Sequence, residues 1–249
     1  MRTRVGNPEV KIMCKDCGGG LDRRALLGAA GLAMSLGLAG TRPAMAASGP
    51  AATLTPDQAL ERLKAGNQRF VTNPQSCVAD MARRRADTVS GQAPWATVVS
   101  CADSRVPPEL IFGGLTLGEL FVVRNAGNTV DTVALGTLEF GAAVLKAPII
   151  MVLGHSRCGA VVAACDVVTK NTTYPGAIGP MIEPIVPAAL SARGRPGDFV
   201  DNAIREHVSR TVARLKSAGP IIAEAAKAGT IRIVGAHYDL ATGVVDVFA

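Results

Sequence analysis

The chain has 249 residues, 48% of them apolar and 18% charged, the balance of a globular protein with a sizeable core; a mainly disordered chain is excluded. Nine aromatic residues against abundant Ala, Val, Leu and Gly favour close helix-on-sheet packing over an aromatic-rich β-sandwich or a base-stacking surface. The formal net charge of +6 suggests an anionic partner only until it is divided along the chain.

Residues 25–40 form an uncharged run of 16 between Arg23-Arg24 and Arg42, followed by the small residues Ala44, Met45, Ala46 and Ala47. This is the three-part pattern of a signal peptide, too short and too rich in Gly and Ala for a membrane span. The paired arginines resemble a twin-arginine export signal, and cleavage is expected after Ala46, so residues 1–46 read as a leader. The alternatives are a Sec signal or an uncleaved anchor. Seven Lys or Arg and three Asp or Glu fall in the leader, leaving 19 and 17 in residues 47–249, a net +2. The basic balance therefore belongs mostly to the leader; neither nucleic acid nor membrane is an expected partner of residues 47–249, which are expected to be exported and to act in the periplasm or elsewhere outside the cytoplasm. Cys14 and Cys17 form a CxxC inside the leader. Cys77, Cys101, Cys158 and Cys165 remain, an even number compatible with two disulfides in an oxidising compartment.

Thr55-Pro56-Asp57 is a helix-start signal, and Leu60, Leu63 and Phe70 then supply one apolar face of an N-terminal helix or helix pair. Strands are expected at 96–100, 120–124, 149–153 and 231–235, each short and β-branched. Helices are expected at 133–145, 160–168 and 201–216, the last with Ile204, Val208, Val212 and Leu215 at helical spacing. The alternation implies a single α/β domain with a mostly parallel sheet covered on both faces. The Pro- and Gly-rich stretch 174–197 reads as a long connection holding at most a short helix, and 244–248 as an edge strand after a turn.

Two strands run into polar clusters: 96–100 into Cys101-Ala-Asp103-Ser-Arg105, and 149–153 into Gly154-His155-Ser-Arg-Cys158-Gly159. Sites in open α/β sheets form beyond the carboxyl ends of the strands, so the clusters converge if these strands are neighbours. Cys, His and Cys suit zinc, and a catalytic zinc commonly takes three protein ligands and keeps one position open. Alone, a strand-end Cys is usually a small buried hydrophobe and an HxxC pair is a weak signal.

Together, CxDSR and GHxxCG resemble the β-class carbonic anhydrases, along with Phe121-Val-Val-Arg-Asn125, Gly136-Thr-Leu-Glu-Phe140 and Val234-Gly-Ala-His-Tyr-Asp239. The resemblance runs from about residue 55 to the C-terminus. It implies one zinc ion per chain on Cys101, His155 and Cys158, and a zinc-bound hydroxide that attacks CO2 to give bicarbonate. Two thiolates cancel the formal charge of the ion, so an alkaline activity optimum is expected. The resemblance gives Asp103, held by Arg105, the role of orienting the nucleophile; in other relatives this Asp swings onto the zinc as a fourth ligand. Val98 stands where some allosteric relatives carry Trp in an inhibitory bicarbonate site, which favours the open state.

The same resemblance makes Gln92 a hydrogen-bond donor to bicarbonate and Phe121 an apolar wall, with Gly159 letting backbone approach the substrate. Phe140 replaces the Tyr of plant-type members, removing any relay through that hydroxyl. It also implies a homodimer or homotetramer in which N-terminal helices embrace the partner. Hydrolysis of carbonyl sulfide or carbon disulfide on the same site stays open as an alternative, as does a non-catalytic zinc-stabilised interaction protein, although a structural site has no use for Arg105. His207 and His237 read as exposed or core histidines, Cys77 and Cys165 as ordinary thiols, and Arg83-Arg84-Arg85 as a solvated helix face.

Overall fold

The computed structural model describes residues 53–74 and 81–249. The leader, with its CxxC, and Cys77 lie outside the described residues. Helix α1 (Pro56–Thr72) begins where Thr55 caps it: the Thr55 hydroxyl accepts from the Gln58 N–H at 3.2 Å while the Gln58 side chain accepts from the Thr55 N–H at 2.9 Å, a reciprocal box with Pro56 in the first turn. Leu60 and Leu63 are buried as its apolar face. After α2 (Met81–Asp87) come β1 (Ala96–Cys101), α3 (Pro108–Ile111), β2 (Leu120–Asn125), a 3-10 turn at Ala126–Asn128, α4 (Thr132–Ala143), β3 (Ile149–His155) and α5 (Gly159–Lys170). Then follow α6 (Ile178–Ile182), a 3-10 turn at Glu183–Ile185, α7 (Val186–Ala192), α8 (Phe199–Ser217), α9 (Pro220–Lys227), β4 (Arg232–Tyr238) and β5 (Val245–Val247).

The five strands form one sheet in the order β2-β1-β3-β4-β5, parallel except for β5, the antiparallel edge. Strands β1 and β3 are buried along their whole lengths, which is why they read as nearly continuous apolar runs rather than alternating ones. Their side chains still alternate between two cores. Val98, Met151, Leu153 and Val234 pack under α1 and α3 with Leu60, Leu63, Ile111 and Phe112. Val99, Ile150, Val152 and Ile233 pack under α4, α8 and α9 with Leu138, Val208, Leu215 and Ile222. Helix α8 lies unusually close to the sheet: a Cβ on Gly154 or Gly235 would stand 2.7 or 2.8 Å from a Val208 methyl.

The stretch 174–197 departs from the expected connection. It folds into α6, a 3-10 turn and α7, with Ile182, Ile185, Ala188, Ala189 and Ala192 buried. Pro184 and Pro187 sit in the first turns of their helices, where the missing N–H costs nothing. Proline spacing that reads as a loop thus marks successive helix starts. In α2, Arg83 and Arg85 are exposed as expected, but Arg84 donates to the Thr116 hydroxyl and the Leu117 carbonyl.

Candidate metal centre

Because β1 and β3 are adjacent and parallel, with Ser100 opposite Leu153, their carboxyl ends deliver Cys101 and His155 side by side. The chain leaves β1 toward β2 on one flank and returns to β3 on the other, so the crevice opens at this switch point. Cys158 closes the group from the N-terminus of α5. The ligand atoms of Cys101, His155 and Cys158 lie within 4.8 Å of one another, all three residues buried, and no other such group occurs among the described residues. The sulfurs of Cys101 and Cys158 are 3.9 Å apart and both thiols are free. A disulfide needs about 2.05 Å, whereas two sulfurs each about 2.3 Å from a tetrahedral zinc stand about 3.8 Å apart.

The histidine is set for the same ion. Its Nδ1–H donates to the Ser156 carbonyl at 2.9 Å, which leaves Nε2 as the bare lone pair of the neutral ring. That Nε2 is fully buried and has no hydrogen-bond partner, a costly arrangement unless a cation occupies the space between it and the sulfurs. The thiols make the same demand. Cys158 donating to Cys101, together with the Gly127 amide, lowers the Cys101 thiol against the opposing effect of burial. Cys158 is raised because its proton is held in that hydrogen bond, and by burial, opposed by the Val161 and Ala160 amides at the start of α5. Two neighbouring thiolates thus share one proton until a cation displaces it.

Beside this group, Arg105 grips Asp103 in a fork: Nε to Oδ1 at 2.9 Å and Nη2 to Oδ2 at 2.7 Å, with the Arg105 backbone N–H adding a bond to Oδ1 at 2.9 Å. The guanidinium holds the Asp103 carboxyl well below the usual carboxylate range. Asp103 Oδ2 stands 3.9 Å from His155 Nε2, next to the ligand atoms but committed to Arg105. The loop carrying the pair is fixed from β2, where Arg124 donates to the carbonyls of Cys101 at 3.0 Å and Asp103 at 2.7 Å. A cavity of about 420 Å³ adjoins Arg105 and is lined also by Ser156, Arg157 and Tyr238, but by none of the three ligand residues.

Residues 96–245 match the carbonic anhydrase family model. The chain is 39% identical to the carbonic anhydrase of Mycolicibacterium smegmatis over 192 residues, 77% of this chain and 93% of that one. It is also 39% identical to carbonic anhydrase 2 of Mycobacterium tuberculosis over 188 residues, 76% of this chain and 90% of that one. The fold matches tetrameric β-carbonic anhydrases of Sordaria macrospora with a TM-score of 0.59 and 25% identity, covering 77% of this chain and 95% of the solved one. The chain belongs to the β-class carbonic anhydrases. The carbonic anhydrase is an enzyme whose cofactor is zinc, and its donor set of two thiolates and one bare imidazole nitrogen fits that ion.

Within this carbonic anhydrase the predicted residues divide into two places. Cys101, Asp103, Arg105, His155 and Cys158 converge, and Gly159 follows Cys158 at the head of α5, where an added Cβ would meet no atom within 4 Å. Gln92 and Phe121 do not converge with them. Phe121 pairs with Thr97 near the amino end of β1, and Gln92 precedes that strand and lines a separate cavity with Arg62, Trp95 and Glu119. Phe140 stands 6.1 Å from Phe121, ring to ring. The individual roles of Arg124 and Gly127 leave no mark in the sequence, because Arg124 acts on the Cys101 carbonyl and Gly127 acts through its own amide on the Cys101 sulfur. His207 and His237 are both buried, and Cys165 is a buried free thiol that burial pushes up to about 11.

Proposed function

We propose that the protein catalyses the reversible hydration of CO2 to bicarbonate and a proton at a zinc ion held by Cys101, His155 and Cys158. The observation that carries the reading is the buried ligand trio lying against a carboxylate already locked by Arg105. Zinc supplies the Lewis acidity that brings water to nucleophilic strength near neutral pH. The chain's own residues do the rest. Asp103, ionised and therefore an acceptor only, takes a hydrogen bond from the attacking water at Oδ2 and turns its lone pair toward the substrate. Arg105 occupies both Asp103 oxygens, which keeps the carboxylate from moving onto the metal and supports the open arrangement. The bare backbone at Gly159 leaves room for a small apolar substrate.

Stopped-flow CO2 hydration with the zinc-loaded protein tests this. Cys158→Ala is expected to abolish activity with loss of zinc, and Asp103→Ala to retain zinc while losing about 100-fold in rate. No zinc-dependent hydration between pH 7 and 9, with the ion bound, would sink the reading; turnover of carbonyl sulfide under the same conditions would replace it.

Two further parts of the proposal concern the whole chain. Residues 1–46 direct export by the twin-arginine route, supported by the paired arginines and by a site needing reduced thiolates, which a route carrying folded cargo protects. Replacing Arg23-Arg24 by Lys-Lys should leave the protein in the cytoplasm; unchanged export would assign it to Sec. The enzyme acts as a homodimer or homotetramer in which Gln92 and Phe121 serve the site of a neighbouring copy, supported by their distance from the trio and by the place of Phe121 on β2, the half-buried edge of the sheet.

A further inference from the structure

His207 lies midway along α8, buried, and 80 residues from its hydrogen-bond partner: Nε2 stands 2.9 Å from the Gly127 carbonyl. A carbonyl only accepts, so Nε2 carries the proton, and burial, which lowers the basicity of the ring, keeps it neutral. On its other side Gly127 turns its amide toward Cys101, with N–H to Sγ at 3.4 Å. Gly127 adopts φ +79 within the 3-10 turn after β2, and a Cβ there would stand 2.5 Å from Ile185 Cδ1 and 3.0 Å from Ala160 Cβ. The turn is therefore wedged between α5 and the segment leading into α7, and α8 grips its carbonyl.

We propose that His207 is a positioning residue for the zinc site: by holding the Gly127 carbonyl it aims the Gly127 amide at the sulfur of Cys101. The inference rests on the reading of Cys101 as a zinc ligand. Without the imidazole N–H, the Gly127 carbonyl is left unpaired in the interior and the left-handed turn loses the contact that fixes its rotation. An N–H donated to a thiolate draws electron density from the sulfur, so its loss makes Cys101 a stronger donor in a less ordered position. A histidine that only filled space would be replaced without effect by Leu. One that acts through its Nε2–H is replaced by Gln, whose Nε2 donates from a similar place.

Cadmium-113 and cobalt(II) report on the sulfur directly. In the cadmium-loaded wild-type protein the Gly127 amide proton should show scalar coupling to the metal through the N–H···S bond, beside the coupling of the Cys101 β-protons. In the cobalt-loaded protein His207→Leu should move the sulfur-to-cobalt charge-transfer band to lower energy, as the stronger sulfur donor requires; His207→Gln should keep the wild-type band. Absence of the Gly127 coupling while Cys101 couples overturns the proposal, as does a Gln variant that behaves like Leu or a Leu variant indistinguishable from wild type. If His207→Leu fails to fold, the wild-type coupling and the Gln variant still decide. Absence of coupling at Cys101 itself overturns instead the ligand assignment on which the inference rests.

Discussion

Cys101 and Cys158 illustrate how a metal site is built before the metal arrives. Their sulfurs are held 3.9 Å apart with Cys158 donating to Cys101, a contact that lowers the one thiol and raises the other, so the pair favours holding one proton between them. Zinc must displace that proton. Titration calorimetry at pH 7 in two buffers of different ionisation enthalpy should therefore read about one proton released per zinc bound, and the apparent affinity should fall about tenfold for each pH unit below neutrality. Release of no proton would show that both thiolates are already ionised. Asp103 follows the opposite sign: its carboxyl is depressed by Arg105, so the stabilisation from that fork is fully present above the ordinary carboxylate range and is lost only as pH falls through the depressed value. Cys101, Asp103, Arg105, His155 and Cys158 were legible in the sequence because rare residue types stand together at and just past two strand ends. Arg124, Gly127 and His207 were not, because each acts on or through a main-chain atom of a distant segment, and a backbone carbonyl or amide leaves no mark in residue identity.

At the scale of elements, strong local signals survived and tertiary compensation hid the rest. The buried strands β1 and β3 and the cap of α1 follow from apolar runs and from Thr55-Pro56, so the frame that carries Cys101 and His155 could be placed in advance. Helices α6 and α7 could not, since they are too short for periodicity and owe their stability to burial of Ile182, Ala189 and Ala192. Asn67 is a second such case. It lies among the buried residues of α1, where a polar side chain reads as part of the solvated face. Its Nδ2 donates to the carbonyls of Ile111 at 3.2 Å and Gly243 at 2.9 Å, and its Oδ1 accepts from the Val245 N–H at 2.9 Å. One side chain thus ties α1 to α3 and to the turn that starts β5. Asn67→Ala leaves three backbone groups without partners and should destabilise the fold by about 3 kcal/mol in urea unfolding. A loss under 1 kcal/mol would mean that water replaces the amide without cost.

At the scale of the whole molecule the expected site residues fall at opposite ends of the sheet. The carboxyl ends of β1 and β3 hold the metal ligands and the Asp103–Arg105 pair, while Gln92 and Phe121 sit near the amino ends of β1 and β2, separated from Cys101 by nearly the length of a strand. A substrate at the ligand trio is out of reach of its own chain's Gln92. In a two-fold symmetric pair each copy offers the same surface to the other, so a residue misplaced in one chain is supplied by its partner. Mixing two inactive variants tests this. Asp103→Ala removes the orienting carboxylate, and Gln92→Ala removes the proposed bicarbonate donor. When the two are refolded together, a mixed pair contains one site with both defects and one with neither. Random pairing then restores roughly a quarter of wild-type activity if Gln92 serves the partner's site. If Gln92 serves its own chain, every site keeps a defect and the mixture recovers nothing beyond the average of its two components.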